Sequence, residues 1–215
     1  VVGPVAHRFT DRRQGDLAVT GDPGPLAARR AAVAPGPWTW LHQVHGADVV
    51  VVTEPGQHAG AEADAAVSAT PGAVLAVHSA DCAPLLLVGA GTVGVVHAGW
   101  RGLVGGVVEA AAAAMADLGG PPVEAVLGPC IRARCYEFGP AELAAVADRY
   151  GPGVEARTAW GTPALDVGAA VAEACGRLGV PLVDQGTCTA CSPRHWSHRA
   201  RSDAERQALV AWLVP

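Results

Sequence analysis

Three polar turns, each closing an apolar run, carry the side chains best suited to chemistry: HQVHG (residues 42–46), HSADC (78–82) and HAGWRG (97–102). Taken alone, a histidine after a strand is an ordinary hydrogen-bonded turn residue; three turns that together offer a thiol and several imidazoles read as a metal site. Thiolate and imidazole are preferred zinc donors, and three protein donors with a fourth position left to solvent make a catalytic rather than a structural site. One thiolate with two neutral imidazoles would bring the pKa of zinc-bound water to about 7. Coordination would also deprotonate Cys82. Activation of water is therefore the chemistry these residues suit.

Neighbouring residues extend that reading. Asp81, beside Cys82, is a candidate to orient a ligand histidine or to act as general base, against the plainer reading of a turn carboxylate. Arg101 lies in Gly-Trp-Arg-Gly before a predicted helix, where free backbone N–H groups and a guanidinium fork favour an anion such as phosphate, and Gly99 and Gly102 would let a ligand approach the backbone. The alternative is a surface arginine beside a helix start. Trp100 could stack on a base, although packing is its more ordinary use. Cys82 with His97 could instead form a metal-free nucleophilic dyad.

Two further thiol pairs are Cys130 with Cys135 and Cys188 with Cys191. The second has the spacing of a redox pair or half a zinc site, without a thioredoxin-like context. All four thiolates together would make a closed structural site.

Composition narrows the classes. The chain has 215 residues, half of them hydrophobic and 5% aromatic, with formal net charge −5. That length can bury a core in a single domain, 1–215, with residues 1–37 as a divergent arm. All fifteen basic residues are arginine, so a lysine Schiff base and a Walker-type phosphate loop are excluded. They are dispersed, which speaks against nucleic acid. No apolar run reaches the roughly 20 residues of a membrane span, and the N-terminus does not resemble a secretory signal. A cytoplasmic protein with reduced thiols, monomeric or a small homo-oligomer, is expected.

The elements that must position these turns are short strands and helices. Residues 1–37 read as irregular or weakly stranded. Strands are predicted from Trp38, in ADVVVVTEPG, and, after a polar stretch, in AVLAVHSADC, APLLLVGAG, TVGVVHAGWRG, VEAVLGPC and PLVDQG. Helices are predicted over LVGGVVEAAAAAMADLGG, PAELAAVADRY opened by Pro140, LDVGAAVAEACGRLG capped by Asp166, and the tail SDAERQALVAWLV. Strands joined too closely for helical crossovers imply layered α+β structure with mixed sheets, and no dinucleotide-binding glycine motif is present.

In order, HQVHG, ADAAVS, HSADCAPLLL, VVHAGWRG, LGPCI, CYEFG and CTAC…SHRAR…WL resemble the laccase-domain, YfiH-like family of purine nucleoside phosphorylases, from about Trp38 to the C-terminus. The resemblance implies an αββα sandwich with mixed sheets and a metal, Zn2+ or alternatively Cu2+, held by His45, Cys82 and His97. It also implies phosphorolysis of adenosine, inosine, guanosine and methylthioadenosine, together with deamination of adenosine. Purine nucleoside and phosphate are then the partners. In that scheme Asp81, Cys82 and Arg101 are catalytic, while His42, Ser79, Trp100 and Arg101 bind substrate. His78 is a further pocket candidate. The rivals are a Cys-His hydrolase editing peptidoglycan precursors, a mononuclear-copper polyphenol oxidase and a metal-stabilised binding module. Two regions depart from the family pattern: the arm keeps fragments of an Arg-x-Gly-Gly stretch, and an aromatic-Ser-Tyr-Arg-Arg run and a Gly-Arg pair appear as Trp196-Ser197-His198-Arg199-Ala200 and Glu205-Arg206.

Overall fold

The computed structural model, which describes residues 4–215, begins with β1 (Val5–Phe9), α1 (Pro23–Val33) and β2 (Trp38–His42). Then come β3 (Val49–Val52), β4 (Ala61–Glu62), β5 (Ala65–Ser68), β6 (Val74–Ser79), β7 (Ala83–Gly89) and β8 (Val93–Ala98). The second half contains α2 (Trp100–Gly105), α3 (Val107–Asp117), β9 (Pro122–Leu127), α4 (Pro140–Tyr150), β10 (Glu155–Arg157) and β11 (Pro163–Leu165). It ends with α5 (Val167–Arg177), β12 (Leu182–Asp184), α6 (His198–Arg201) and β13 (Gln207–Leu213).

One sheet has the order β1-β13-β6-β2-β4, a second the order β12-β9-β7-β8-β5-β3, and β10 pairs with β11 alone. Both larger sheets are mixed: β2 runs parallel to β6, β3 to β5 and β9 to β12, while the other pairs are antiparallel apart from the short parallel β2–β4 contact. The inner strands β5, β6, β7, β8 and β13 are buried on both faces, and alternate side chains enter different cores. Leu75 and Val77 of β6 meet Leu86, Val93, Val95 and Leu209 between the sheets. Val74 and Ala76 of the same strand face the other way, against Leu26 and Val33 of α1. Leu85 and Leu87 of β7 point outward to Val107, Ala111 and Met115 of α3 and to α4 and α5. The result is helix, sheet, sheet, helix, the αββα layering the motifs imply. Each Leu or Val so buried contributes about 1.5–3 kcal/mol. The strand ends that carry the polar turns are thereby anchored.

Several local expectations are corrected. The tail forms no long helix; Gln207–Leu213 is a strand between β1 and β6, and an unbroken buried apolar run has no period to distinguish the two. The arm is structured, since β1 lies on the sheet edge and α1 is an eleven-residue helix capped by Asp22. The stretch read as merely polar contains β5, fully buried between β3 and β8. The single helix expected after HAGWRG is two, broken at Gly106, whose φ of 86° is left-handed. The helices over 140–150 and 167–177 form as predicted, and Asp166 caps the second by accepting from the Ala169 amide.

Candidate metal centre and its cavity

The HQVHG turn leaves β2 and is pinned twice. The Gln43 amide exchanges two 2.7 Å hydrogen bonds with the His78 backbone, donating to its carbonyl and accepting from its N–H. The Asp64 carboxylate accepts the backbone N–H groups of Val44, His45 and Gly46 at 3.1, 3.1 and 2.7 Å. These amides hold His45 at φ 60°, an uncommon conformation outside glycine. Asp81, in the turn between β6 and β7, is also left-handed at φ 113°. Such outliers persist where the surroundings over-determine them, and they cluster at functional sites.

Three turns thereby converge. The ligand atoms of His45, Cys82 and His97 lie within 4.8 Å of one another. Cys82 Sγ is 3.9 Å from His45 Nε2, and the two imidazole centroids are 4.9 Å apart at 76°. Asp64 Oδ1, which accepts the His45 N–H, also lies 2.7 Å from His97 Nδ1, so His97 turns Nε2 toward the centre. A carboxylate behind a ligand imidazole is the usual support of a metal-binding histidine. Burial raises the Cys82 thiol, but His97 and His45 outweigh it and bring it down to about 6. Burial lowers His97, while Cys82 and Asp64 lift it to about 9. A nucleophilic or ligating thiolate is favoured either way.

The glycines of HAGWRG serve this convergence. A Cβ on Gly99 would stand 2.8 Å from His45 Cδ2 and 3.5 Å from Cys82 Sγ, and one on Gly102 would stand 2.7 Å from the Gly46 carbonyl. The expectation that they admit a ligand to the backbone is replaced by close approach of the HQVHG loop.

The centre opens into a cavity of about 510 Å³. Its walls include His42, His78, Ser79, Asp81, Arg199 and Arg206. His42 is exposed and outside the ligand group, so His45 is the member of HQVHG that joins it. The Ser79 hydroxyl donates to the Cys82 carbonyl at 2.5 Å, closing the turn. Among the described residues Asp81 hydrogen-bonds to no histidine side chain. Its carboxylate accepts from Thr189 Oγ1 at 2.6 Å and from the Arg199 N–H at 2.7 Å, so the orienting role belongs to Asp64 instead. Arg101 and Trp100 do not line this cavity: the guanidinium lies 4.4 Å over the Trp100 ring, and the indole packs edge-on against Phe138. The Trp100 indole is thus engaged by Phe138 and Arg101.

The cations in the wall are Arg199 and Arg206. Among the described residues neither forms an ion pair; Arg206 Nη1 donates to the carbonyls of Asp203, Ala204 and Glu205, and Arg199 Nη1 to that of Glu137. The Arg199 guanidinium also lies 5.0 Å over Tyr136. His78 is 6% exposed, and among the described residues neither ring nitrogen has a hydrogen-bond partner. Burial, then Arg30, His97 and Arg206, push its pKa down to about 3, so the ring is neutral. The sequence offered signals for the arginines in SHRAR and Glu205-Arg206. They stood out there only as departures, because nothing local shows that the tail returns to HSADC.

The family described as multi-copper polyphenol oxidoreductase laccase matches residues 23–214. The chain belongs to that family. Within the laccase family, a purine nucleoside phosphorylase of Streptomyces coelicolor is 44% identical over 208 residues, 91% of this chain and 86% of its own. One of Streptomyces griseus is 41% identical over 240 residues, covering 99% and 96%. A crystal structure of a Neisseria meningitidis protein superposes with TM-score 0.87 at 27% identity, over 100% of this chain and 99% of that one. YfiH of Bacillus licheniformis shares the fold at TM-score 0.85 and 21% identity, over 97% and 92%. The laccase name does not describe the donors: among the described residues, the group containing histidine supplies three ligands, too few for a multicopper cluster. No helix among them is long and apolar enough to cross a membrane.

Proposed function

We propose that this chain is a zinc-dependent purine nucleoside phosphorylase that also deaminates adenosine, acting in the cytoplasm on adenosine, inosine, guanosine and methylthioadenosine. The observation that carries this reading is the convergence of two imidazoles and a thiol in a cavity whose walls add two arginines that, among the described residues, have no carboxylate partner. The names of the Streptomyces relatives support the reaction class. The donor set fits zinc: one sulfur and two nitrogens, with Asp64 fixing the His97 tautomer. When bound, zinc supplies Lewis-acid charge and a lowered pKa for water at its open position.

The remaining work falls to the chain. Arg199 and Arg206 would hold phosphate, whose oxygen attacks the ribose anomeric carbon while the purine leaves with the bonding electrons. Neutral His78 offers one N–H donor and one acceptor to a purine edge. Burial, and next the Cys82 charge, push the Tyr136 hydroxyl well above its ordinary value, so it remains a donor in the wall. Asp81, with both oxygens engaged, positions Arg199 through its amide rather than carrying protons. In deamination, water adds at the purine C6 and ammonia leaves.

A second reading has its own support, since the lowered Cys82 thiol beside a raised His97 is also a nucleophile-base pair. One experiment separates them: metal-quantified protein is incubated with adenosine, inosine and methylthioadenosine, with and without phosphate, before and after chelation. Free base that requires both phosphate and metal is expected, with inosine formed from adenosine without phosphate. Turnover that survives complete chelation would assign the site to the dyad. No free base from metal-replete protein would remove the phosphorylase reading.

A further inference from the structure

We propose that Cys135, Cys188 and Cys191 form a second metal site, a three-thiolate Zn2+ site separate from the His45-Cys82-His97 centre. Their sulfurs lie within 4.8 Å of one another, with Cys135 Sγ and Cys191 Sγ 3.3 Å apart. Thiolates about 2.3 Å from a tetrahedral zinc stand about 3.8 Å from each other, so little movement would admit the ion. All six cysteines are free thiols.

The backbone builds this arrangement before any ion arrives. Cys135 ends a short 3-10 turn over Ala133–Cys135, closed by its own N–H donating to the Arg132 carbonyl at 2.8 Å. The CTAC turn is held opposite. The Thr189 amide donates to the Cys130 carbonyl at 3.1 Å, the Ser192 amide to that of Cys188 at 3.0 Å, and Arg201 Nη1 to that of Ala190 at 3.0 Å.

The closed four-sulfur site weighed from the sequence is not formed. Cys130 is wholly buried in the core and outside the group, while Cys191 is exposed. A fourth coordination position therefore faces solvent. Arg12 and Arg201 line the cleft beside Cys191, both paired with Asp203 at 2.9 and 3.0 Å. The ion would clip the turn before Tyr136 to the segment leading to Arg199, two walls of the main cavity.

The test counts ions by site. Apo protein reloaded with Zn2+ and freed of excess is expected to retain two ions per chain, one in Cys188→Ser/Cys191→Ser and one in His45→Ala/Cys82→Ala. Co2+ loaded into His45→Ala/Cys82→Ala is expected to keep a thiolate-to-cobalt charge-transfer band, which at that point can come only from the cysteine cluster. This spectrum decides the matter even where the double serine variant fails to fold. A wild-type chain that binds one ion, all of it lost in His45→Ala/Cys82→Ala, overturns the proposal. So does a Co2+-loaded His45→Ala/Cys82→Ala chain without that band. Failure at the main centre reads differently, as an ion retained by the cysteines alone.

Discussion

Asp64 and His97 are joined twice: carboxylate Oδ1 to imidazole Nδ1 at 2.7 Å, and the His97 backbone N–H to the Asp64 carbonyl at the same distance. The carboxylate that orients this ring also holds the loop presenting His45, so one fully buried side chain sets two of the three ligands. Replacing Asp64 by Asn keeps the volume and removes the charge. Metal affinity should fall about 10- to 100-fold, as loss of such supports typically does, when measured by competition with a chelator. Unchanged affinity would show that Asp64 serves folding alone.

His45→Ala should abolish stoichiometric zinc at the main centre, whereas His42→Ala should leave it bound and affect the KM for nucleoside. Metal content measured on both variants checks this. The reverse order would exchange the roles within HQVHG.

Gly99→Ala places a methyl 2.8 Å from His45 Cδ2. The backbone there is extended, with φ −72°, so the substitution strains no dihedral and acts through its close contact with the ligand ring. Weaker metal binding with a circular dichroism spectrum like that of the parent chain is expected. Equal affinity in the two proteins would mean that the ring can yield.

Arg199→Ala or Arg206→Ala should raise the KM for phosphate by about tenfold or more, in line with loss of a charge-assisted bond worth about 1.5–3 kcal/mol. Arg101→Ala should change it little, because that guanidinium lies on Trp100 outside the cavity. Steady-state kinetics with phosphate varied would reveal the opposite ranking if Arg101 holds the anion.

Acid stability offers a separate check. Burial alone would raise Asp11, yet Arg13 and Arg194 bring its carboxyl down from 3.8 to about 2. A folded pKa below the unfolded one gives stabilisation that is complete above the unfolded value and disappears as pH falls through the folded value. Asp11→Asn should therefore melt below the parent at pH 6 and together with it near pH 2. With exposed arginine partners worth about 1 kcal/mol at most, the gap at pH 6 should be about 2–4 °C.

What the amino-acid sequence determined by itself was the chemistry on offer: imidazoles and a thiol at strand ends, arginines as the one cationic type, and a layered α+β fold legible in motif order. Donor identity is a property of side chains, so it survives without coordinates. Tertiary structure alone decided which groups support that chemistry. Asp64 reaches His97 across 33 residues of chain, and Thr189 and Arg199 reach Asp81 across 108 and 118. The tail that appeared helical is a buried strand because β1 and β6 flank it, and that neighbourhood leaves no trace in a seven-residue apolar run. Hydrogen bonds between residues so distant follow from how sheets and loops pack, and no local spacing encodes them.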